Sequence, residues 1–298
     1  MADTSRAQGI EPADAKRWIA ECDTFVTPSG HRIAYRRRGT GPTVLLLHGF
    51  PTWSYDYAEV AGDIEQDHEV LTFDFLGYGV SDKPNPYHYS VTESADIVEQ
   101  LLRHLGVQEV DLVFHDYGSI VGQELLDRRL RRELTFGIRS VTIFNCGLVY
   151  DAYRPTRLQR ILIKPVLGRL VASRVTQERV RTGLNSIRGD VKLTDPEFAN
   201  LWYGISRNDG HKLAHLHIRY NAERNRHHER WEAATRAWDG PLHLIWGLQD
   251  PVSGKHVLEI ARKLLPSAKI TELPAAGHYP MAEMPRESSA AIRSGINS

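Results

Sequence analysis

Three residues far apart in the chain, Asp116, Asp250 and His278, each follow a short apolar run of strand character and stand at a turn. Two carboxylates and an imidazole are the groups that a nucleophile, a general base and the acid orienting that base require. Around Asp116 the chain reads VDLVFHDYGSIVG, residues 110–122, an apolar run that becomes amphipathic within three residues. Residues 111–114 have the character of a buried parallel strand. From Ser119 onward, Ile120, Val121, Leu125 and Leu126 recur at helical spacing. A strand-to-helix turn this tight lifts its central side chain above the sheet and points the backbone N–H groups of the new helix toward it. A carboxylate held there attacks an sp³ carbon and forms an alkyl ester, where a serine would attack an acyl carbon. An Asp opening a helix is equally an ordinary N-cap, and this stretch alone leaves both readings open.

The surrounding elements determine whether these groups meet. ThrProSerGly, residues 27–30, separates two strand-like runs and predicts an edge hairpin. A pure apolar strand at 44–47 runs into HGFP, residues 48–51, where Gly and Pro suit either an oxyanion-binding loop or plain loop punctuation. Residues 58–64 read as a helix and 70–73 as a strand, followed by the loop DFLGYGVSDKP at 74–84. Its glycines lack dinucleotide-fingerprint spacing. A helix at 91–105 stops at Gly106, and a strand at 140–145 follows the helix after Asp116. The alternation predicts an α/β fold, a doubly wound, mostly parallel sheet with ligands at the carboxyl ends of its strands. Strands at 242–246 and 269–273, with a helix at 256–265 between them, put Asp250 and His278 at that same edge. Together with Asp116 they make a triad constellation in the order nucleophile, acid, histidine.

Between residues 147 and 239 the alternation stops, and helices are expected at 158–170, 176–181, 195–205 and 209–237. The chain therefore divides into a core, 1–146 and 240–298, and an all-helical cap, 147–239. From Asp151 to Asp239 there are 17 Lys/Arg against 10 Asp/Glu, which fits solvated outer helix faces or a basic rim that guides an anionic ligand. Residues 1–22 are polar and carry one short amphipathic piece at 13–20, expected to pack on the surface. The whole chain of 298 residues is 41% hydrophobic and 25% charged with zero formal net charge, which gives no indication of a nucleic-acid or membrane partner. Cys22 and Cys146 read as free thiols, and no signal peptide or 18-residue apolar run is visible. A cytoplasmic protein, monomer or homodimer, is expected. His211, His215, His217, His227 and His228 lack an obvious carboxylate or thiol partner, so no metal is expected.

HGFP, DFLGYGVSDKP, HDYGS, GLQDP and GHYP, in this order, resemble the α/β-hydrolase fold, within it the aspartate-nucleophile branch of epoxide hydrolases and haloalkane dehalogenases. The likeness runs from about Thr24 to Pro285. It implies Asp116 as nucleophile, His278 as the base for water and Asp250 as its orienting partner. It further implies an oxyanion hole from the backbone N–H groups of Phe50 and Tyr117, a cis Phe50–Pro51 bond, and no cofactor. The implied partners are water and a small-molecule substrate, an epoxide or a halogenated aliphatic. Tyr220 resembles the second of two cap tyrosines that donate O–H to an epoxide oxygen; Tyr150, Tyr153 and Tyr203 are the alternatives for the first. The expected substrate-contacting set is Tyr220, His48, Trp202, Tyr150 and Tyr153. Dehalogenases of this branch commonly carry Trp and Asn where this chain has Tyr117 and Phe50, so epoxide hydrolysis is expected ahead of C–halogen hydrolysis. A non-catalytic small-molecule-binding protein on the same fold is the reading from another class.

Overall fold

The computed structural model describes residues 10–296. Eight strands form one sheet: β1 (Asp23–Val26), β2 (Arg32–Arg38), β3 (Thr43–Leu47), β4 (Glu69–Phe73), β5 (Glu109–Phe114), β6 (Gly137–Phe144), β7 (Leu242–Gly247) and β8 (Lys269–Leu273). Their spatial order is β1-β2-β4-β3-β5-β6-β7-β8. β1 and β2 form the expected hairpin; β2 is antiparallel to both its neighbours, and every pairing from β4 to β8 is parallel.

The apolar strands are explained by burial on both faces. Along β3, Val44 and Leu46 enter one core while Leu45 and Leu47 enter the other, and all four are fully buried. β5 divides likewise, with Val113 on one side and Leu112 and Phe114 on the other. Strand order runs outward in both directions from the β3/β5 pair, so the crevice above their carboxyl ends is the topological switch point where ligands bind in open α/β sheets. HGFP leaves β3 and Asp116 follows β5.

Between β6 and β7 the described residues form helices and turns from Tyr150 to Arg236. Two expected helices are each divided. The run at 158–170 is two helices, Arg157–Leu162 and Pro165–Ala172, because Pro165 lacks the N–H an interior position needs and instead opens the second. The run at 209–237 becomes a 3₁₀ segment, Arg207–Leu213, then Ala214–His217 and Tyr220–Arg236. Asn208 and Asp209 are left-handed, at φ 49° and 58°, which α-helical continuation excludes. The helix expected at 176–181 extends over Gln177–Ile187.

The helix Ala13–Ala20 lies where the amphipathic pattern puts it. Trp18 is buried with its indole N–H on Ser54 Oγ, and the Ala15 N–H donates to Asn200 Oδ1. Residues 1–9 of the polar N-terminal stretch lie outside the described residues. No helix among those described is long and apolar enough to cross a membrane.

Candidate active site

β5 ends at Phe114, and the helix Tyr117–Leu130 begins three residues later. Asp116 at the apex has φ 44° and ψ −111°, a strained conformation for a residue with a Cβ. Two close approaches make the turn feasible. A Cβ at Gly118 would lie 2.5 Å from the Leu47 carbonyl oxygen, and one at Gly122 would lie 2.4 Å from the Phe114 ring. The absence of a small residue at position 114 is thus accommodated one helical turn further on.

The N-cap reading of Asp116 is excluded, because its side chain makes no cap hydrogen bond to its own helix. Instead Oδ2 accepts from the Phe50 backbone N–H at 2.9 Å, and Oδ1 faces His278 Nε2 at 3.5 Å. The Tyr117 N–H is the first of the helix, one of the donors that intrahelical bonding leaves free. The Phe50–Pro51 bond is cis. On the far side of the imidazole, His278 Nδ1 lies 2.7 Å from Asp250 Oδ2. Asp250 also accepts from the Val252 N–H and the Ser253 hydroxyl, both at 2.7 Å, and from Asn145 Nδ2 at 3.2 Å. A carboxylate on a backbone donor, facing an imidazole held by a second carboxylate, is the geometry of a nucleophile, a base and an orienting acid.

All three groups are buried, and burial opposes each charge. For Asp116 the bonds and charge of His278 outweigh it and hold the carboxyl below its ordinary value. Asp250 is drawn down to about 2 by the same imidazole. Burial would lower His278, but the charges and hydrogen bonds of Asp250 and Asp116 raise it to about 10. The two flanking carboxylates thus favour the protonated form of the imidazole.

Several supports were not visible in the sequence. The His115 ring donates from Nε2 to the His278 carbonyl at 2.7 Å. Asn145, at the end of β6, bonds both backbone groups of Gly247 as well as Asp250, so it ties the acid's strand to its neighbour. Buried Glu283 accepts three backbone N–H bonds, from Gly189 at 2.7 Å and from Gly277 and Tyr279 at 2.9 Å, and so clamps the loop carrying His278. The only sequence signal for it is a Glu five residues after that histidine. Glu283→Ala would leave those donors without an acceptor. It is expected to destabilise the fold by about 3–5 kcal/mol in urea titration and to lower turnover by loosening His278; a change below about 1 kcal/mol would contradict the clamp.

A cavity of about 330 Å³ reaches Phe50 and His278, the two neighbours of Asp116. Its walls are mostly apolar, with Tyr78, Lys83, Arg157, Arg179, His211 and His217 as the charged or titratable groups besides His278 and no Asp or Glu. Tyr220 is buried, its ring centroid 5.1 Å from Tyr117 and 6.3 Å from Phe50, and it stands with Tyr153 in the aromatic group beside Asp116 rather than in the cavity wall. The Tyr153 hydroxyl is buried, with Tyr220 and Gln159 as its polar neighbours.

Three expected substrate contacts are corrected. His48 accepts from the Phe75 N–H on Nε2 and donates from Nδ1 to the Gly49 carbonyl, so both nitrogens are used in fixing the loop. Trp202 packs against Phe198 and His211 outside the cavity wall. Tyr150 stacks on His228 and directs its exposed hydroxyl to Asn225. Tyr203, the other alternative, bonds Arg207 at the surface.

This fold and this carboxyl-edge arrangement define a hydrolase class: the chain belongs to the alpha/beta hydrolase fold family, which matches residues 42–285. It is similar to LipZ of Mycobacterium tuberculosis, 37% identical over 276 residues that cover 92% of each protein. It is also similar to the human mesoderm-specific transcript homolog protein, 38% identical over 290 residues covering 92% of this chain and 85% of that protein. Among solved structures, a loop variant of the haloalkane dehalogenase DbeA from Bradyrhizobium elkanii shares the fold, with TM-score 0.76, 22% identity, and 93% and 97% of the two chains covered.

Proposed function

We propose that this hydrolase opens epoxides to diols through an alkyl ester on Asp116, with residues 147–239 acting as a cap over the site. Asp116 Oδ1 attacks a ring carbon, the C–O bond breaks, and the leaving oxygen takes a hydrogen bond and then a proton from Tyr153 or Tyr220. His278 passes a proton back to that phenol or to solvent and so becomes neutral. It then takes a proton from water, whose oxygen attacks the Asp116 carboxyl carbon. The oxyanion rests on the N–H groups of Phe50 and Tyr117; on its collapse the ester C–O bond at the carboxyl carbon breaks, the departing oxygen takes the proton of the newly added hydroxyl, and the diol leaves with the carboxylate restored. Esterification removes one of the two negative charges that hold His278 protonated, so its affinity for a proton falls once the ester exists. The base is thus available at the step that needs it.

The observation that carries the choice of epoxide is the pair of buried phenols, Tyr153 and Tyr220, which interact with each other and with the charge of Asp116. Burial raises both phenols above their ordinary values, so they remain protonated donors at neutral pH. A halide leaving group is less well supported. The indole N–H groups of Trp18, Trp53, Trp231, Trp238 and Trp246 all bond elsewhere, Trp202 packs on Phe198 and His211, and the Tyr117 hydroxyl is paired with Ser94. Tyr153→Phe and Tyr220→Phe are each expected to lower kcat for an epoxide by about 10²–10³-fold, as for loss of one oxyanion donor, with thermal stability nearly unchanged. Unaltered turnover in both variants would remove the phenols from the mechanism.

A further inference from the structure

The helices Arg157–Leu162 and Pro165–Ala172 present an apolar face that no described residue covers. Of ten exposed large apolar side chains among the described residues, Leu158, Ile163, Val166, Leu167 and Leu170 fall between 158 and 170. Val166 is 84% exposed. Val166 and Leu170 are one helical turn apart, with Leu167 beside them, so they form one patch rather than scattered residues.

The same stretch is uniformly basic. From Ala152 to Gln177 there is no Asp or Glu, and Arg154, Arg157, Arg160, Lys164, Arg169 and Arg174 supply six cations. None of the six forms an ion pair among the described residues, in contrast to the arginines of the core, such as Arg36, Arg128 and Arg139. Such side chains normally shield a solvated helix face by pairing with neighbouring carboxylates; here they surround an exposed apolar surface. Apolar side chains among unpaired cations are what a helix lying in a lipid interface requires: the former enter the acyl boundary and the latter meet anionic head groups.

We propose that residues 157–174 dock this protein on an anionic lipid surface. Charge complementarity selects that occupant, and continuity with the cavity gives it a purpose. Arg157, Leu158 and Leu162 belong both to the docking segment and to the cavity wall. A docked molecule thus opens its cavity toward the bilayer, where it collects a lipophilic substrate without full passage through water. The docking stands independently of the ring-opening chemistry, because it rests on exposed side chains that take no part in that chemistry.

The test is co-sedimentation of the full chain with phosphatidylcholine vesicles, with and without phosphatidylglycerol, at low and high salt. Binding is expected with the anionic vesicles, weakened by salt and nearly absent on phosphatidylcholine alone. Val166→Glu/Leu170→Glu, at exposed positions, is expected to lower the partition coefficient by about tenfold or more with circular dichroism and melting unchanged. Lys164→Gln/Arg169→Gln is expected to lower it on anionic vesicles with the apolar face intact. The proposal is overturned if the wild-type chain ignores anionic vesicles, or if the glutamate variant binds as well as wild type. It is overturned equally if the patch proves to be covered by a second copy, seen as a dimer that the glutamate variant dissociates.

Discussion

Asp116→Asn is expected to lower epoxide turnover by about 10⁴-fold or more while preserving the fold. The amide is isosteric and keeps an oxygen to accept the Phe50 N–H that Asp116 Oδ2 now accepts at 2.9 Å, so the strained elbow retains its main contact. It is not a nucleophile toward carbon, and no other carboxylate is aimed into the site from β5. Removing its charge also removes one of the influences that raise His278 to about 10, so the imidazole's titration, followed by NMR, moves down. A variant with normal turnover would mean that water attacks substrate directly and that Asp116 serves only as an electrostatic partner.

Asp250→Asn is expected to separate the two chemical steps. Asp250 accepts the Nδ1 proton of His278 at 2.7 Å, which leaves Nε2 toward Asp116. An asparagine can donate to Nδ1 instead, which puts the proton on Nε2 and leaves the imidazole unable to take one from water. Its amide would also face the Asn145 amide that now donates to Asp250 Oδ2. Attack by Asp116 survives and ester hydrolysis fails, so rapid-quench kinetics should show a burst of about one equivalent of opened epoxide. A steady state about 10³–10⁴-fold below wild type should follow. Multiple turnovers at the wild-type rate without a burst would remove Asp250 from the role of acid.

The meeting of Asp116, Asp250 and His278 at one sheet edge is legible in sequence because each of its parts is local. HGFP, HDYGS, GLQDP and GHYP are short turns after apolar strands, and a parallel sheet brings such turns to one edge without further information. The supports were not legible, because they act across the fold. Glu283 serves three backbone donors, Asn145 bridges two strands, and His115 holds the carbonyl of the residue it supports; none of these pairings leaves a spacing in the chain. Tyr153 could not be separated from Tyr150 and Tyr203 by composition, since the difference is the direction each hydroxyl takes. His48 was misread for the same reason: a histidine beside a catalytic loop looks like a ligand contact until both nitrogens are seen on backbone groups. The divided helices between β6 and β7 depend on left-handed Asn208 and Asp209 and on Pro165, local features that the hydrophobic period masks.

A covalent ester on Asp116 is the intermediate on which the proposed cycle depends, and it can be trapped. His278→Gln removes the base while leaving nucleophile and oxyanion donors in place. After exposure to a small epoxide, intact-mass spectrometry of this variant should show one adduct carrying the whole epoxide mass, with peptide mapping placing it at Asp116. No adduct on His278→Gln, with an Asp116→Asn control of identical behaviour across epoxides and haloalkanes, would contradict the account.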